Sequence, residues 1–375
     1  MLVSVCLTLL PQFYLDESIF RMLMYLSWGA VALIIVSLGW PDIRTSQYGK
    51  VYLLMYGCVA LVCILNGLLG KEHLNSYYLY MLIIPLVSYH VGYWMRQWLS
   101  DASLRSLITF YCVAVCLFGI VIGILNVPSF TQWAAEQVYT YNAKNPVAQL
   151  LGVATLCALA SIHKKDPLAR KLLFATLTLA MVTVIAFLRS RTPLLAVIVA
   201  TVIYSILLTR RKYLWWAAAT LIAVALLNSK ILWFLDRVFL FTKYQGLGLD
   251  ALSSGRLSLY QTAMADFAQR PFFGGGHYYV DNMYLCVLSE LGLIGAGLIY
   301  PIWLYRIVLN VRTFTRNRSP LATMVLLITV YYFVVSFLEA FPPFGPGAAS
   351  FFFWLLCGMM GRRAREGTKM YALEP

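Results

Sequence analysis

A polar stretch late in the chain carries residue types that can act chemically on an anionic substrate. Arg256, His277 and Asp281 lie within about two dozen residues of one another, in a sequence otherwise made of apolar runs. Arginine stays charged at any working pH and grips phosphate oxygens through two parallel N–H groups. Histidine and carboxylate side chains serve as general bases. The stretch therefore contains groups that can hold an anion and groups that can take a proton from a hydroxyl.

A second cationic motif, Arg189-Ser190-Arg191, lies where an apolar segment ends. Paired arginines in a short turn suit a diphosphate, and Pro193 is tolerated near the start of the helix that follows. The structural alternative is that both guanidinium groups reach lipid headgroups at the membrane surface.

The candidates in the polar stretch have structural alternatives too. Arg256 can pair with Asp250 at the protein surface, and His277 can serve only as a hydrogen-bonding residue. Asp281 can cap the helix that begins beside it. These alternatives stay open on the sequence alone.

Glycines and two further acids complete the set of candidates. Gly274–Gly276 can either connect two helices or let the backbone approach a ligand. Glu290, inside an apolar segment, is costly to bury and is therefore a candidate functional group, and Glu339 is a further candidate carboxylate. Three later glycines are predicted to serve helix packing: Gly292, Gly295 and Gly297.

The elements that must position these groups are transmembrane helices. Of the 375 residues 61% are hydrophobic and 12% are charged, and the mean hydropathy is +0.76. No water-soluble domain can bury that much apolar surface. We therefore predict an all-α polytopic membrane protein that forms one integral membrane domain, 1–375, with about twelve transmembrane helices. The predicted segments are 2–15, 19–39, 51–69, 76–94, 106–126, 146–162, 172–188, 193–209, 213–228, 281–304, 320–340 and 347–361.

The distribution of the 29 lysines and arginines predicts the orientation. When they are assigned to alternate sides of the membrane, nineteen fall on one side, five on short connections of the other side, and five in a long loop at 229–280. The side richer in positive charge faces the cytoplasm. Both termini are then cytoplasmic. The loops at 127–145 and 229–280, the latter between spans nine and ten, face outward, which in a bacterium is the periplasm.

The two outward loops have distinct patterns. The 229–280 loop is predicted to contain an amphipathic surface helix over 256–269, with a serine N-cap before it and Pro271 after it. Its apolar residues share one face: Leu257, Tyr260, Met264 and Phe267. The 127–145 loop places aromatic residues among amides, which suits either sugar binding or an aromatic belt at the membrane interface: Phe130, Trp133, Tyr139 and Tyr141.

Composition also disfavours several function classes. The net charge of +14 comes from short basic clusters between apolar runs, which is typical of membrane orientation and not of nucleic-acid binding. The four histidines and eight cysteines show no metal-ligand spacing, and the cysteines lie mostly in apolar runs as packing residues. The sequence shows no internal repeat, which disfavours a secondary transporter. We expect no metal, no cofactor and no nucleic-acid partner.

Taken together in their order and spacing, the motifs resemble the bacterial O-antigen polymerase and O-antigen ligase superfamily, the Wzy- and WaaL-like membrane glycosyltransferases. The resemblance covers about residues 185–297, and the rest of the chain matches in topology only. It rests on four motifs: Ser190-Arg191-Thr192, Gly255-Arg256-Leu257, the Pro271–Gly276 turn, and Asp281-Asn282 followed by Gly292 and Gly295.

The resemblance implies metal-independent glycosyl transfer from an undecaprenyl-diphosphate-linked glycan, at the periplasmic face of the bacterial inner membrane. A polymerase of this kind builds O-antigen or a related surface polysaccharide, with membrane lipid around it and a chain-length regulator as a possible partner protein. The diphosphate would be bound by Arg189, Arg191 and Arg256. His277 or Asp281 would act near the acceptor as catalytic groups, and Asn282 and Tyr260 would contact the substrate.

One position departs from the pattern of the family. Family ligases place a histidine immediately before the asparagine, whereas this chain has Asp281 before Asn282 and its nearest histidine at His277. The departure favours a polymerase. A ligase that moves the glycan to lipid A–core stays the alternative, and a polysaccharide or lipid transporter is a third hypothesis.

Overall fold

The computed structural model of the chain describes residues 47–68, 77–126, 144–163, 166–208, 228–239, 255–275, 279–345 and 348–371, with a few single positions between them. Within this part of the chain, regular structure consists of eleven helices. They are α1 (Gln47–Leu68), α2 (Tyr77–Met95), α3 (Asp101–Asn126), α4 (Lys144–Ala160), α5 (Leu168–Phe187), α6 (Arg191–Leu208), α7 (Ser229–Phe239), α8 (Arg256–Gln269), α9 (Met283–Arg316), α10 (Pro320–Val335) and α11 (Ala348–Tyr371).

Three of these helices, α3, α5 and α9, are long and apolar enough to cross a membrane. Shorter apolar stretches lie within α1, α6, α10 and α11. The part of the chain that the structure describes is thus all-helical and consistent with a membrane protein, as the composition predicts. The predicted segments 2–15, 19–39 and 213–228 lie almost wholly outside the described residues, so a count of twelve spans stays a prediction.

The chain divides into two compact units. The first comprises Met1–Tyr111 and Tyr260–Pro375. In it α2 packs along α11, and α9 packs against α1 and α10. Aromatic side chains of α11 fill its core. Phe352, for example, is fully buried and stacks on Tyr111 with 3.6 Å between the ring centroids.

A buried cation ties three helices of this unit together. Arg306 of α9 is completely buried, and its guanidinium group lies over the rings of Tyr89 and Trp354, 4.7 and 5.8 Å from their centroids. A desolvated cation–π contact contributes about 2 kcal/mol. The charge of Arg306 therefore serves packing within the fold.

The second unit comprises Cys112–Leu259 and is built around α4. Of the 17 residues of α4, 13 are buried, because α5 and α6 both pack against it. A helix that is apolar on all sides is expected in such a central position. The cysteines confirm their predicted packing role. Cys112 and Cys157 are buried free thiols, and the Sγ of Cys112 donates to the carbonyl of Ala154 on α4 at 3.6 Å.

Candidate functional site

The arginine turn joins α5 to α6. α5 ends at Phe187 and α6 begins at Arg191, so the predicted helix boundaries are confirmed. Among the described residues other than glycine, only Arg189 has a positive φ, of 51°. A left-handed conformation is costly for a residue with a side chain and clusters at functional sites. This conformation of Arg189 allows only three residues to separate the end of α5 from the start of α6, and it gives Arg189 and Arg191 different surroundings.

Arg189 faces the protein interior. Its side chain is almost completely buried, its guanidinium carbon lies 4.8 Å from the centroid of the Trp133 ring, and its Nη2 donates to the Trp133 carbonyl. Burial lowers the pKa of the Arg189 guanidinium group from its usual value. Arg189, which the sequence predicts to bind a diphosphate, therefore holds Trp133 in place.

Trp133 completes an aromatic cluster in the second unit. Its ring is buried, 5.1 Å from that of Phe187 and 5.8 Å from that of Phe234, and its Nε1 donates to the Phe187 carbonyl at 3.0 Å. Neither an exposed sugar-binding surface nor an interfacial belt describes this position. The other aromatic residues singled out in that loop, Phe130, Tyr139 and Tyr141, lie outside the described residues.

The cluster also fixes α7, which the sequence analysis does not predict. The first half of α7 is exposed and includes apolar residues such as Trp233, while Phe234 and the buried Val238 anchor its second half. The available signal is the pair of polar dipeptides, Ser229-Lys230 and Asp236-Arg237, seven residues apart among large apolar side chains, which is typical of a short interfacial helix.

Arg191, the first residue of α6, is half-buried and points to the end of α7. Its Nη1 donates to the Phe239 carbonyl at 3.5 Å. The preceding Ser190 is buried and its hydroxyl donates to the amide oxygen of Asn145, at the start of α4, at 2.9 Å. The turn is thus attached to α4 on one side and to α7 on the other.

Arg256 is the first residue of α8, and its Nη1 donates to the hydroxyl of Thr192 at 3.5 Å. The bounds of α8, Arg256–Gln269, confirm the helix predicted over 256–269, and its location at the membrane surface stays a prediction. Its start is held by two caps. The Ser253 hydroxyl accepts the Leu257 N–H at 3.4 Å, and the Asp250 carboxylate, expected as a surface partner of Arg256, accepts the Ser258 N–H at 3.0 Å.

These contacts bring both arginines to the first turn of α6. Arg191 belongs to that turn, and Arg256 reaches its second residue, Thr192. The start of a helix carries unpaired N–H groups and a positive partial charge. Two guanidinium groups at such a position are chemically suited to an anion with several oxygens.

The first unit holds the remaining candidates, around the start of α9. The Tyr260 hydroxyl lies 2.8 Å from the Asp281 carbonyl and 3.2 Å from the Phe337 carbonyl. Next to it, Ala263 packs in a buried cluster with Val280. This side of α8 contacts protein.

The residues of the apolar face predicted for α8 differ in exposure. Leu257 is 40% exposed and Met264 is 46% exposed, while the small Ala263, which the pattern of large apolar residues leaves out, is buried.

Asn282, not Asp281, caps α9. The Asn282 Oδ1 accepts the Leu285 N–H at 3.1 Å, and its Nδ2 donates to the Phe337 carbonyl at 3.1 Å. The alternative that Asp281 is the N-cap is therefore wrong. Since protein groups occupy both ends of the Asn282 amide, the geometry favours a structural role over the expected contact with substrate.

The Asp281 side chain is directed instead to Tyr279. Burial raises the pKa of the Tyr279 phenol, and the neighbouring Asp281, which also hydrogen-bonds it, raises that pKa further. Tyr279 therefore stays protonated and can donate to the carboxylate. The charge of Glu339, which is buried, also raises the pKa of the Tyr279 phenol. His277, the other candidate base, lies outside the described residues.

α9 is interrupted close to this site. Gly292 has φ 65° and ψ −166°, so α9 consists of two helical parts, 283–291 and 293–316. The interpretation of Gly292 as a helix-packing glycine is therefore wrong. At Gly297 no atom of the described residues lies within 4 Å of where a side chain would begin, so its packing role stays a prediction. Glu290, just before the break, is buried, and the Cys286 Sγ donates to its Oε1 at 3.5 Å.

The geometry defines a membrane protein with a cationic turn in one unit and a Tyr–Asp pair in the other. Residues 176–300 match the family model described as O-antigen ligase (Wzy_C), and Arg191, Arg256 and Asp281 all lie in the matched stretch. No curated protein matches the chain. The match over residues 176–300 supports the resemblance to the bacterial O-antigen polymerase and ligase superfamily, whose members are glycosyltransferase-like enzymes.

We predict that Arg189→Ala and Trp133→Leu each lower the thermal unfolding temperature of the purified protein. Because both changes remove the same cation–π contact, their losses should be coupled by about 1–2 kcal/mol in a double-mutant cycle. The matched control is Arg170→Ala. The Arg170 side chain is 30% exposed and lies over Phe174 at 5.6 Å, so its loss should change little. Strict additivity of the two buried changes would contradict the assigned contact.

Proposed function

We propose that the protein polymerises undecaprenyl-diphosphate-linked oligosaccharide repeat units into O-antigen or a related surface polysaccharide. The observation that carries this proposal is the contact between Arg256 and Thr192, which places the arginine of α8 at the first turn of α6, beside Arg191. The family match over residues 176–300 supports the same class of reaction. The proposed location is the periplasmic face of the inner membrane, with both termini in the cytoplasm.

The proposed donor step is displacement at the anomeric carbon of the growing chain. The bond between that carbon and the diphosphate oxygen breaks, and undecaprenyl diphosphate leaves with the bonding electrons. Arg191 and Arg256 stabilise the negative charge that develops on the leaving oxygen, since fixed cations aimed at that charge favour the transition state over the ground state. In this proposal no metal ion is required for the leaving group.

The proposed acceptor step uses the Asp281 carboxylate. A hydroxyl at the non-reducing end of a new lipid-linked repeat unit attacks the anomeric carbon and forms the new glycosidic bond, and its proton passes to the base. A carboxylate held by a protonated Tyr279 has a fixed direction, which general-base catalysis requires. His277 remains a candidate for the same role.

Asp281 also bears on the choice between polymerase and ligase. The ligases that this chain resembles have a histidine at the position of Asp281. In this chain a carboxylate paired with Tyr279 occupies that position. This difference favours polymerisation over transfer to lipid A–core. The lipid tail is proposed to lie among the helices, and a chain-length regulator is a proposed partner.

Removal of either arginine is expected to abolish polymer formation. Arg191→Ala and Arg256→Ala should each reduce kcat by about 10²–10³, the range found when one preorganised donor to a developing oxyanion is removed. Arg256→Lys should recover only part of the rate, because an ammonium group cannot bind two oxygens in parallel. Polymer is measured by gel electrophoresis of surface glycan, with the amount of protein in the membrane as a control.

Arg105 provides the matched control for these variants. It is an exposed arginine of α3, and Arg105→Ala should leave polymer unchanged. Normal chain length in Arg191→Ala or Arg256→Ala would reject the diphosphate site.

Replacement of the proposed base should show which of the two candidates, Asp281 or His277, takes the proton. We expect Asp281→Asn to lower kcat by about 10²–10⁴, the usual contribution of a general base, with Tyr279→Phe intermediate. Asp266→Asn, on α8, is the control for loss of a carboxylate elsewhere. A fully active Asp281→Asn together with an inactive His277→Ala would move the role to His277.

Reconstitution tests the reaction itself. Purified protein in liposomes that contain lipid-linked repeat units, and no other acceptor, should produce longer lipid-linked chains. Transfer that begins only when lipid A–core is added would identify a ligase and overturn the polymerase proposal.

A further inference from the structure

The interruption of α9 is filled by the backbone of the turn that follows α8. Three hydrogen bonds join the two segments. The Leu293 N–H donates to the Pro271 carbonyl at 2.8 Å, the Ile294 N–H donates to the Phe272 carbonyl at 3.2 Å, and the Gly275 N–H donates to the Ser289 carbonyl at 2.7 Å. We call this contact between 271–275 and 289–294 the backbone junction. It satisfies groups that a broken helix would otherwise leave unpaired.

Two glycines allow the backbones to come this close. A Cβ atom at Gly292 would lie 2.4 Å from the carbonyl carbon and oxygen of Phe272. A Cβ atom at Gly274 would lie 2.4 Å from the same atoms of Glu290. Ordinary contacts of a Cβ atom are 3.4–4 Å, so either methyl group would push the segments about 1 Å apart.

The backbone angles impose the same choice of residue. Gly292, with φ 65° and ψ −166°, lies in a region that essentially only glycine occupies. Gly274, with φ 68°, is also in the left-handed half of the map. The two positions therefore require glycine for conformation as well as for space.

The junction is connected to Asp281 by a rigid rod. The first part of α9, residues 283–291, is about 12 Å long at 1.5 Å per residue and begins directly after the Asp281-Asn282 pair. Asn282 caps the far end of this rod, and the Met283 N–H donates to the Ser336 carbonyl at 2.9 Å. A displacement at the junction is thus passed along the rod to the carboxylate.

We propose that Gly274 and Gly292 are positioning residues that fix the Asp281 carboxylate through the backbone junction and the first part of α9. The inference rests on the proposed role of Asp281 and extends it to residues that cannot touch substrate through a side chain. A displacement of about 1 Å in a reacting group can lower a rate by about 10². The junction controls the distance between the Asp281 carboxylate and the acceptor hydroxyl, not the affinity for substrate.

Hydrogen–deuterium exchange on the unmodified protein tests the junction without any variant. We expect the amides of Gly275, Leu293 and Ile294 to exchange slowly, since each donates to a carbonyl of the opposite segment. Exchange at the rate of exposed loop amides would overturn the junction itself, whatever the protein catalyses.

Variants then test positioning. Gly274→Ala and Gly292→Ala should each lower kcat about 100-fold and leave KM for the lipid-linked repeat unit unchanged, because a displaced base does not alter donor binding. Since both changes separate the same two segments, the double variant should be no slower than the slower single variant. Exchange should become faster in 283–291 and stay unchanged in α10.

Two other glycines are matched controls. Gly297→Ala adds a methyl group where nothing lies within 4 Å, and Gly275→Ala makes only an ordinary contact of 3.6 Å with the Ser289 carbonyl. Both should keep the rate of the unmodified protein.

If Gly274→Ala and Gly292→Ala lowered kcat, donor binding and thermal stability together, the two glycines would have only a structural role. That result would overturn the proposal. If Asp281→Asn were fully active, the failure would lie in the proposed acceptor chemistry. The exchange data would still report on the junction separately.

Discussion

The proposed chemistry depends on positive charge held at the start of α6. A guanidinium group near a helix N-terminus is unfavourable for the helix dipole, and two such groups also repel one another. The fold nevertheless brings Arg256 to Thr192 and begins α6 with Arg191. A bound anion would add favourable charge at this position, which is the physical basis for proposing the diphosphate site there.

Arg189 and the residues around it hold in place the turn that carries this positive charge. Its left-handed backbone and its buried contact with Trp133 hold the turn between α5 and α6 in one shape. The aromatic cluster extends this hold to α7, whose last carbonyl, that of Phe239, orients Arg191. Of the three arginines expected at the diphosphate, Arg189 supports the turn, and the proposed role stays with Arg191 and Arg256.

Features set by short-range pattern were predictable from the sequence. The bounds of α8 follow from a serine cap and Pro271, and the α5–α6 turn follows from polar residues between two apolar runs. Features set by distant partners were not. Trp133 lies 56 positions before Arg189, and no local pattern links a loop tryptophan to that turn. The cap of α9 was misplaced by one residue because Asp and Asn are equally good caps, and only the contact of Asn282 with Phe337 decides between them.

The break in α9 was unpredictable for a more general reason. In a membrane, backbone that leaves a helix must find partners within the protein, since lipid offers none. Here the partners are carbonyl and N–H groups of 271–275, and main-chain groups leave no trace in side-chain composition. Only the glycines mark the place, and glycine also occurs where helices simply pack. Because backbone bonds do not depend on neighbouring side chains, a junction of this kind can hold a catalytic segment rigidly while the surrounding residues adapt to different glycans.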